Sequence, residues 1–372
     1  MLTLKLLQKL VSIPSVFPNE YSISKFVQTY LKHVGFTVKV FNTGKKRPNI
    51  VAFNTKAKKY LGFYGHLDTV PAASEYKRNP FKVIFTKNNK IALGLGVCDM
   101  KAGLTSILKT AEYAVRHNIP VKLVFGVDEE NISEGAHNLV DSGLLNDLDF
   151  MVVAEGGQIK NYQRDLSLVF GRKGRIVFDI IIIGKIAHAA ESQKGINAIE
   201  MASKLVLALK KINFKKHSKL GKTNIVIQNI YSEASAFSIP NVCLIKCSLL
   251  TSPLDNSLSF MELVKKLAAK LNVKIQIRIS KRKTPYAESY EIPLSNLFIK
   301  KIQKNILTKY KLKPIYTDSV ADENVFANRL KVPVLTLGAI GGGDHTASEW
   351  LDIDSLFKLI DVYKQILIEY NK

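Results

Sequence analysis

The chain has 372 residues, 47% of them hydrophobic and 23% charged, with a formal net charge of +23. This composition is ordinary for a soluble globular protein of one or two domains, and apolar runs such as Ile180 to Ile183 are far too short to span a bilayer. The charge would fit nucleic acid, an acidic carrier protein or an acidic substrate, but no nucleic-acid motif accompanies it, and the scattered lysines (Lys45, Lys87, Lys160, Lys204, Lys265, Lys300) fit solvated faces.

At the N-terminus, Leu4, Leu7, Leu10 and Val11 mark a short amphipathic helix stopped by Pro14. Ile23, Phe26, Val27, Tyr30, Leu31 and Val34 keep helical spacing, and Gly35 closes that helix. Strands are predicted at 37–41, 49–53, 60–64 and 81–86. The run from Tyr60 to Tyr64 leads into Gly65-His66-Leu-Asp68. Open α/β sheets place their chemistry at the carboxyl ends of strands. Imidazole is the commonest side-chain metal ligand, and a carboxylate two residues on can orient it.

Gly94 and Gly96 lead through Asp99-Met-Lys-Ala-Gly103 into a helix predicted over 104–116. The third glycine of a dinucleotide fingerprint is missing at the required spacing, so nicotinamide binding is rejected. A buried strand at 121–127 ends in Asp128-Glu129-Glu130, and adjacent carboxylates repel one another unless cations neutralise them. The apolar run from Phe150 delivers Glu155 in the same manner. Much later, a strand at 332–338 leads through a glycine-rich loop to Asp344-His345-Thr346. Five candidate ligands thus leave separate strand ends: His66, Asp99, Glu130, Glu155 and His345. Mixed imidazole and carboxylate donors suit zinc, and also cobalt or manganese. Five exceed what one tetrahedral ion takes; one carboxylate bridging two metals accounts for the count.

Between these halves the rhythm changes. Strand 175–183, helix 197–211, strands 223–231 and 242–250, helix 260–271 and strand 273–279 give the β-α-β-β-α-β order of a ferredoxin-like unit. None of the five candidates falls there. The organisation expected is a catalytic domain in two parts, 1–170 and 285–372, with an inserted domain at 171–284. A helix near 295–310 returns the chain to the first domain. Cys98, Cys243 and Cys247 are odd in number and lack CxxC spacing, which fits a reduced compartment and argues against a thiolate zinc site. No signal-peptide pattern opens the chain, so a cytoplasmic location is expected.

Five motifs stand in order along essentially the whole chain: Gly65-His66-Leu-Asp68-Thr-Val-Pro71, Gly96-Val-Cys-Asp99-Met-Lys101, Asp128-Glu129-Glu130, Gly195-Ile-Asn-Ala-Ile199 and His345-Thr346. In this the sequence resembles the di-zinc aminoacylase and carboxypeptidase family, which includes acetylornithine deacetylase, succinyl-diaminopimelate desuccinylase and glutamate carboxypeptidase. The resemblance implies an α/β fold: a mixed-sheet, zinc-peptidase-like catalytic domain with a ferredoxin-like lid and dimerisation domain. It implies two divalent metal ions, zinc foremost. His66 and Glu155 would bind one, Glu130 and His345 the other, with Asp99 bridging. Asp68 would orient His66, and Glu129 would be the general base. His188, in Ile186-Ala-His188-Ala-Ala190, resembles the lid histidine that reaches the active site of a dimer partner. Arg172 or Arg175 is a candidate for a substrate carboxylate. His33, His117, His137 and His217 carry no implied role.

The implied activity is hydrolysis of an N-acyl amino acid in amino-acid biosynthesis, by attack of a metal-bridged hydroxide on the amide. The alternatives are a dipeptidase or carboxypeptidase on the same scaffold, and a deacylase for an amino acid attached to an acidic carrier protein. A homodimer is implied; nucleic acid and membrane partners are not. Three positions depart from the family pattern. Gly156 replaces a proline, Ala102 a glycine, and Leu250 stands where close relatives often carry an arginine.

Overall fold

A computed structural model describes residues 1–86, 88–158, 166–235 and 237–372; Lys87 and Lys160 lie outside them. The described chain divides into two compact units. The first comprises Met1–Phe170, Glu291–Ile315 and Ala321–Lys372, the second Gly171–Tyr290 and Tyr316–Val320.

The first unit is built on a mixed sheet. Tyr60–His66 lies parallel to both Lys122–Gly126 and Leu148–Val153, and Val334–Leu337 lies parallel to Leu148–Val153. Four carboxyl ends therefore leave the sheet on one side. Pro48–Phe53 and Thr37–Asn42 extend it by antiparallel pairing. Near-continuous apolar strands imply burial on both faces, and successive side chains along a strand point opposite ways. Phe63 meets Tyr363 of the Ile353–Tyr370 helix at 4.9 Å between ring centroids. Tyr64, on the other face, meets Phe326 of the Asp322–Leu330 helix at 4.7 Å. Gly103 seats the Lys101–Arg116 helix against a strand end: a Cβ there would lie 2.1 Å from the Ala154 carbonyl oxygen.

Two predicted elements differ. The strand expected over 81–86 is only Ile84–Phe85. Asn79 makes a turn over its first residues, accepting from Phe81 N at Oδ1 (2.9 Å) and from Lys82 N at its carbonyl (3.3 Å). The helix expected near 295–310 is Leu297–Ile302, a π-helical segment Gln303–Leu307, and Thr308–Tyr310. Asn296 caps its start by accepting from Phe298 N and Ile299 N.

The second unit runs Gly174–Ile183, Ala198–Leu209, Asn224–Tyr231, Val242–Thr251, Ser257–Lys270 and Lys274–Ile279. Its antiparallel sheet is ordered Asn224–Tyr231, Val242–Thr251, Gly174–Ile183, Lys274–Ile279. This is the expected ferredoxin-like topology. Alternate residues Ile176, Phe178, Ile180 and Ile182 pack with Leu205, Phe260 and Val264 from its two helices. Lys45, Lys204, Lys265 and Lys300 are all exposed, as solvated charge should be. Among the described residues, no helix is long and apolar enough to cross a membrane.

Candidate metal centre

His66, Glu130 and Glu155 leave parallel strands that end together, and loops after Ile91–Leu93 and Ile340–Gly342 carry Asp99 and His345 to them, so the first unit brings all five candidate ligands into one cluster. His66 Nε2 lies 3.0 Å from Asp99 Oδ1 and 3.5 Å from Glu155 Oε2. His345 Nε2 lies 3.3 Å from Asp99 Oδ2 and 3.0 Å from Glu130 Oε2. Asp99 thus turns one oxygen to each imidazole. Donor atoms of His66, Asp99 and Glu155 lie within 4.8 Å of one another, as do those of Asp99, Glu130 and His345, and those of His66, Glu129 and Glu130.

Local backbone presents these groups. His66 is the last residue of its strand, and its Nδ1 lies 3.0 Å from the Asp68 carbonyl oxygen. A proton on Nδ1 donated there leaves the Nε2 lone pair for the cluster. The Asp68 carboxylate stands farther from the ring, at 3.6 Å, and its Oδ2 accepts from Glu130 N at 3.0 Å. After the Lys122–Gly126 strand, Asp128 adopts φ +74°, a left-handed turn that asparagine and aspartate tolerate better than most other non-glycine residues. Its carboxylate is engaged elsewhere: Oδ1 accepts from Arg47 Nη2 at 2.9 Å and Oδ2 from Glu134 N at 2.9 Å. Of the three adjacent carboxylates, Glu129 and Glu130 join His66 while Asp128 pairs with an arginine. His345 likewise sits at φ +64°.

Four carboxylates face two imidazoles, and the proton affinities register the imbalance. Burial, with Asp99 close by, pushes the Glu155 carboxyl well above the usual range. Burial, with Asp322 and Glu130 close by, does the same to Glu129, against the pull of His66. Burial also raises Glu130. Asp99 is held down: burial opposes its charge, but His345 and His66 outweigh it. Asp99 and Glu130 push the His345 imidazole up to about 10. Burial opposes a charged His66, but its carboxylate neighbours raise it nonetheless. An excess of buried carboxylate with two imidazoles, in nitrogen and oxygen donors, fits divalent cations. Cys98 offers no thiolate, because burial pushes its thiol well up.

Several residues beneath the cluster escaped the sequence. Tyr64 donates to Asp322, and Thr336 Oγ1 donates to Glu323 Oε1 at 2.6 Å; both carboxylates are buried. Asp322 and Glu323 open a helix, where acids are common, so no signal separated them from ordinary first-turn acids. His188, Arg172 and Arg175 belong to the second unit. His188 is exposed, its Nδ1 accepting from Ala190 N at 3.2 Å. Arg172 is buried and donates to Ser319 Oγ at 2.5 Å. Arg175 donates from Nε to Ser248 Oγ at 3.3 Å and stands opposite Leu250 in the sheet register. Of the remaining histidines, His117 stacks on Tyr113 at 3.9 Å and His137 lies 3.3 Å from Arg329 Nη1.

A doubly covered α/β sheet that ends in such a cluster belongs with the metal-dependent hydrolases of amide and peptide bonds. Within that class, the chain is a member of peptidase family M20/M25/M40, whose model matches residues 62–369. It is similar to the succinyl-diaminopimelate desuccinylase of Pelagibacter ubique, at 26% identity over 98% of each chain. Among solved structures, aminopeptidase PepT of Bacillus cereus superposes with a TM-score of 0.81 at 18% identity, covering 100% of this chain and 98% of that one. A dinuclear metal-binding M20 peptidase of Bacillus subtilis superposes with a TM-score of 0.72 at 15% identity, covering 99% of this chain and 97% of that one.

Proposed function

We propose that the chain is a two-metal amidohydrolase that removes the acyl group from an N-acyl amino acid of the succinyl-diaminopimelate or acetylornithine type, in the cytoplasm. The observation that carries the two-metal part is Asp99, whose Oδ1 and Oδ2 face different histidines at 3.0 and 3.3 Å. The acyl-amino-acid part is supported by the end-to-end similarity to a desuccinylase. His66 and Glu155 would hold one ion and Glu130 and His345 the other, with Asp99 shared; zinc suits these donors best, with cobalt or manganese as substitutes.

When bound, such ions supply Lewis acidity toward the scissile carbonyl and the attacking water. Glu129 takes the proton of that water and returns it to the leaving amine. Its burial among carboxylates raises its proton affinity, as a base requires. The Asp68 carbonyl fixes the tautomer of His66, and the Asp68 carboxylate tethers the backbone of Glu130. His188, delivered by a second copy of the chain, donates to the oxyanion. Arg175, across the sheet from Leu250, or Arg172 receives the substrate carboxylate.

Peptide cleavage is the second reading, favoured by the likeness in fold to an aminopeptidase. An acyl amino acid presented on an acidic carrier protein is a variant of the first: seven lysines and no acidic residue lie between Met201 and Ser232. The deciding experiment assays N-succinyl-diaminopimelate, N-acetylornithine and simple dipeptides on protein stripped with chelator and reloaded with zinc or cobalt. Turnover of an acyl amino acid that returns with two ions per chain is expected. Preference for dipeptides would favour the second reading, and saturation at one ion would sink the shared role of Asp99.

A further inference from the structure

Four residues after His345, Glu349 is 1% exposed. It lies far in sequence from Asp99, yet its carboxylate accepts three backbone N–H groups of the loop that carries Asp99. Oε2 takes Gly96 N at 2.7 Å; Oε1 takes Cys98 N at 2.9 Å and Asp99 N at 3.1 Å. The Glu349 carbonyl takes a fourth, Gly94 N, at 3.4 Å. A buried carboxylate is costly unless hydrogen-bonded, and here every described partner of the side chain is an amide of that one loop. The loop closes on itself below, where Lys101 N donates to the Gly96 carbonyl at 2.9 Å.

The segment that supplies Glu349 is itself tied by local hydrogen bonds. Thr346 N donates to the Gly343 carbonyl at 3.0 Å, Thr346 Oγ1 lies 3.0 Å from Ser348 Oγ, and Ser348 N donates to Thr346 Oγ1 at 3.2 Å. One short stretch therefore presents His345 to the cluster and grips the backbone beneath Asp99. A shift of the Asp99 loop by even a fraction of an ångström would move Oδ2 off His345 and Oδ1 off His66.

We propose that Glu349 is a positioning residue: its carboxylate clamps Gly96 to Asp99 so that Asp99 keeps one oxygen on each histidine. The consequence for metal rests on the two-ion reading; the clamp itself does not. Glutamine at this position can accept through one oxygen only, and its amide N–H₂ would confront a backbone donor. Aspartate keeps the charge but is too short to span all three amides.

The test compares wild type with Glu349→Gln and Glu349→Asp. In the metal-free proteins, hydrogen exchange is followed on the peptide spanning residues 94–101. Exchange at the Gly96, Cys98 and Asp99 amides is expected to rise at least about tenfold in both variants. Chelator competition should then show zinc affinity down roughly 10–100-fold at both sites, the usual effect of removing a partner behind the ligands, and the visible spectrum of the cobalt-loaded variants should change. A merely structural glutamate would lower the melting temperature and leave affinity and spectrum alone, which would overturn the proposal. Unchanged exchange at the three amides in either folded variant would overturn it too. Wild-type protein that binds only one ion would sink the two-ion reading separately, and exchange would still decide the clamp.

Discussion

Arg47 reaches 81 residues along the chain to Asp128, donating from Nη2 to Oδ1 at 2.9 Å. The same guanidinium forks onto Glu20, with Nη2 2.5 Å from Oε1 and Nε 3.0 Å from Oε2. The Glu20 and Asp128 side chains are 0% and 1% exposed, so one largely buried cation is shared between two buried anions. Removing one partner of a buried pair typically costs about 3–5 kcal/mol, because it strands the other charge. Arg47→Met is expected to lose about that much stability in urea titrations of the metal-free protein. Asp128→Asn leaves the Arg47–Glu20 pair intact and should cost less. Equal losses in the two variants would contradict this account.

Glu129 and Glu130 are neighbours with opposite expected behaviour. Glu130 Oε2 lies 3.0 Å from His345 Nε2, and its backbone N–H is tied to Asp68. Glu129 meets the cluster from the His66 side. Glu129→Gln should therefore keep its metal and lose turnover by roughly 10²–10⁴-fold, the usual share of a positioned base. Glu130→Gln should lose metal affinity first. Metal analysis beside kcat at saturating zinc separates the two, and the reverse pattern would exchange their roles.

The contrast between these residues and Arg47 shows what was legible in the sequence. His66, Glu130 and Glu155 each follow an apolar strand run closely, so local pattern located them and parallel pairing gathered them, whereas His345 follows its run only through a glycine-rich loop. Asp99 stood among the candidates too, and the five-motif resemblance added its bridging role and the part of Glu129. Arg47, Asp322 and Glu349 act through contacts 81 to 258 residues away in sequence. Their partners are buried carboxylates, a phenol and backbone amides, and no spacing rule reveals such pairs. The Asn79 turn that shortened a predicted strand is the opposite case. Its local side-chain bond was readable, but the apolar run after it read more strongly. Leu356, Leu359, Ile360, Tyr363, Ile366 and Leu367 mark the final helix by the same periodicity that revealed the second, a signal present but unused.

Cys247 links the core of the second unit to alkaline stability. It is fully buried in the Val242–Thr251 strand, and burial pushes its thiol up to about 12. In the unfolded chain a cysteine ionises near 8.5. Between these values the unfolded state binds fewer protons than the folded one, so stability falls as pH rises. The contribution is fully present below about pH 8.5 and is lost at about 1.4 kcal/mol per pH unit above it. Urea titrations of wild type and Cys247→Ala at pH 8 to 10.5 isolate it, since lysines and tyrosines titrate in both. The wild-type stability should fall more steeply. Parallel curves would mean that the thiol already ionises in the folded state.

His188 sits on the second unit, whereas Glu129 belongs to the cluster of the first. The proposed delivery of His188 by a partner subunit needs a surface for pairing, and the second unit offers one. Among the described residues Asn224–Tyr231 is an edge strand, bonded only to Val242–Thr251, and it exposes Val226 at 47%, Ile230 at 48% and Tyr231 at 59%. A long apolar edge invites pairing with another chain, and two-fold symmetry is the commonest way for one surface to satisfy itself. In such a dimer, a site that takes Glu129 from one chain takes His188 from the other. His188→Ala and Glu129→Gln should each be inactive alone. In a mixed dimer one site carries both defects and the other neither. Equal mixing with free exchange makes half the dimers mixed, so about a quarter of wild-type activity should return. Size-exclusion chromatography of differently tagged chains confirms the exchange. No recovery after exchange would show that His188 does not act in trans, and a fully active monomer would remove the need for a partner.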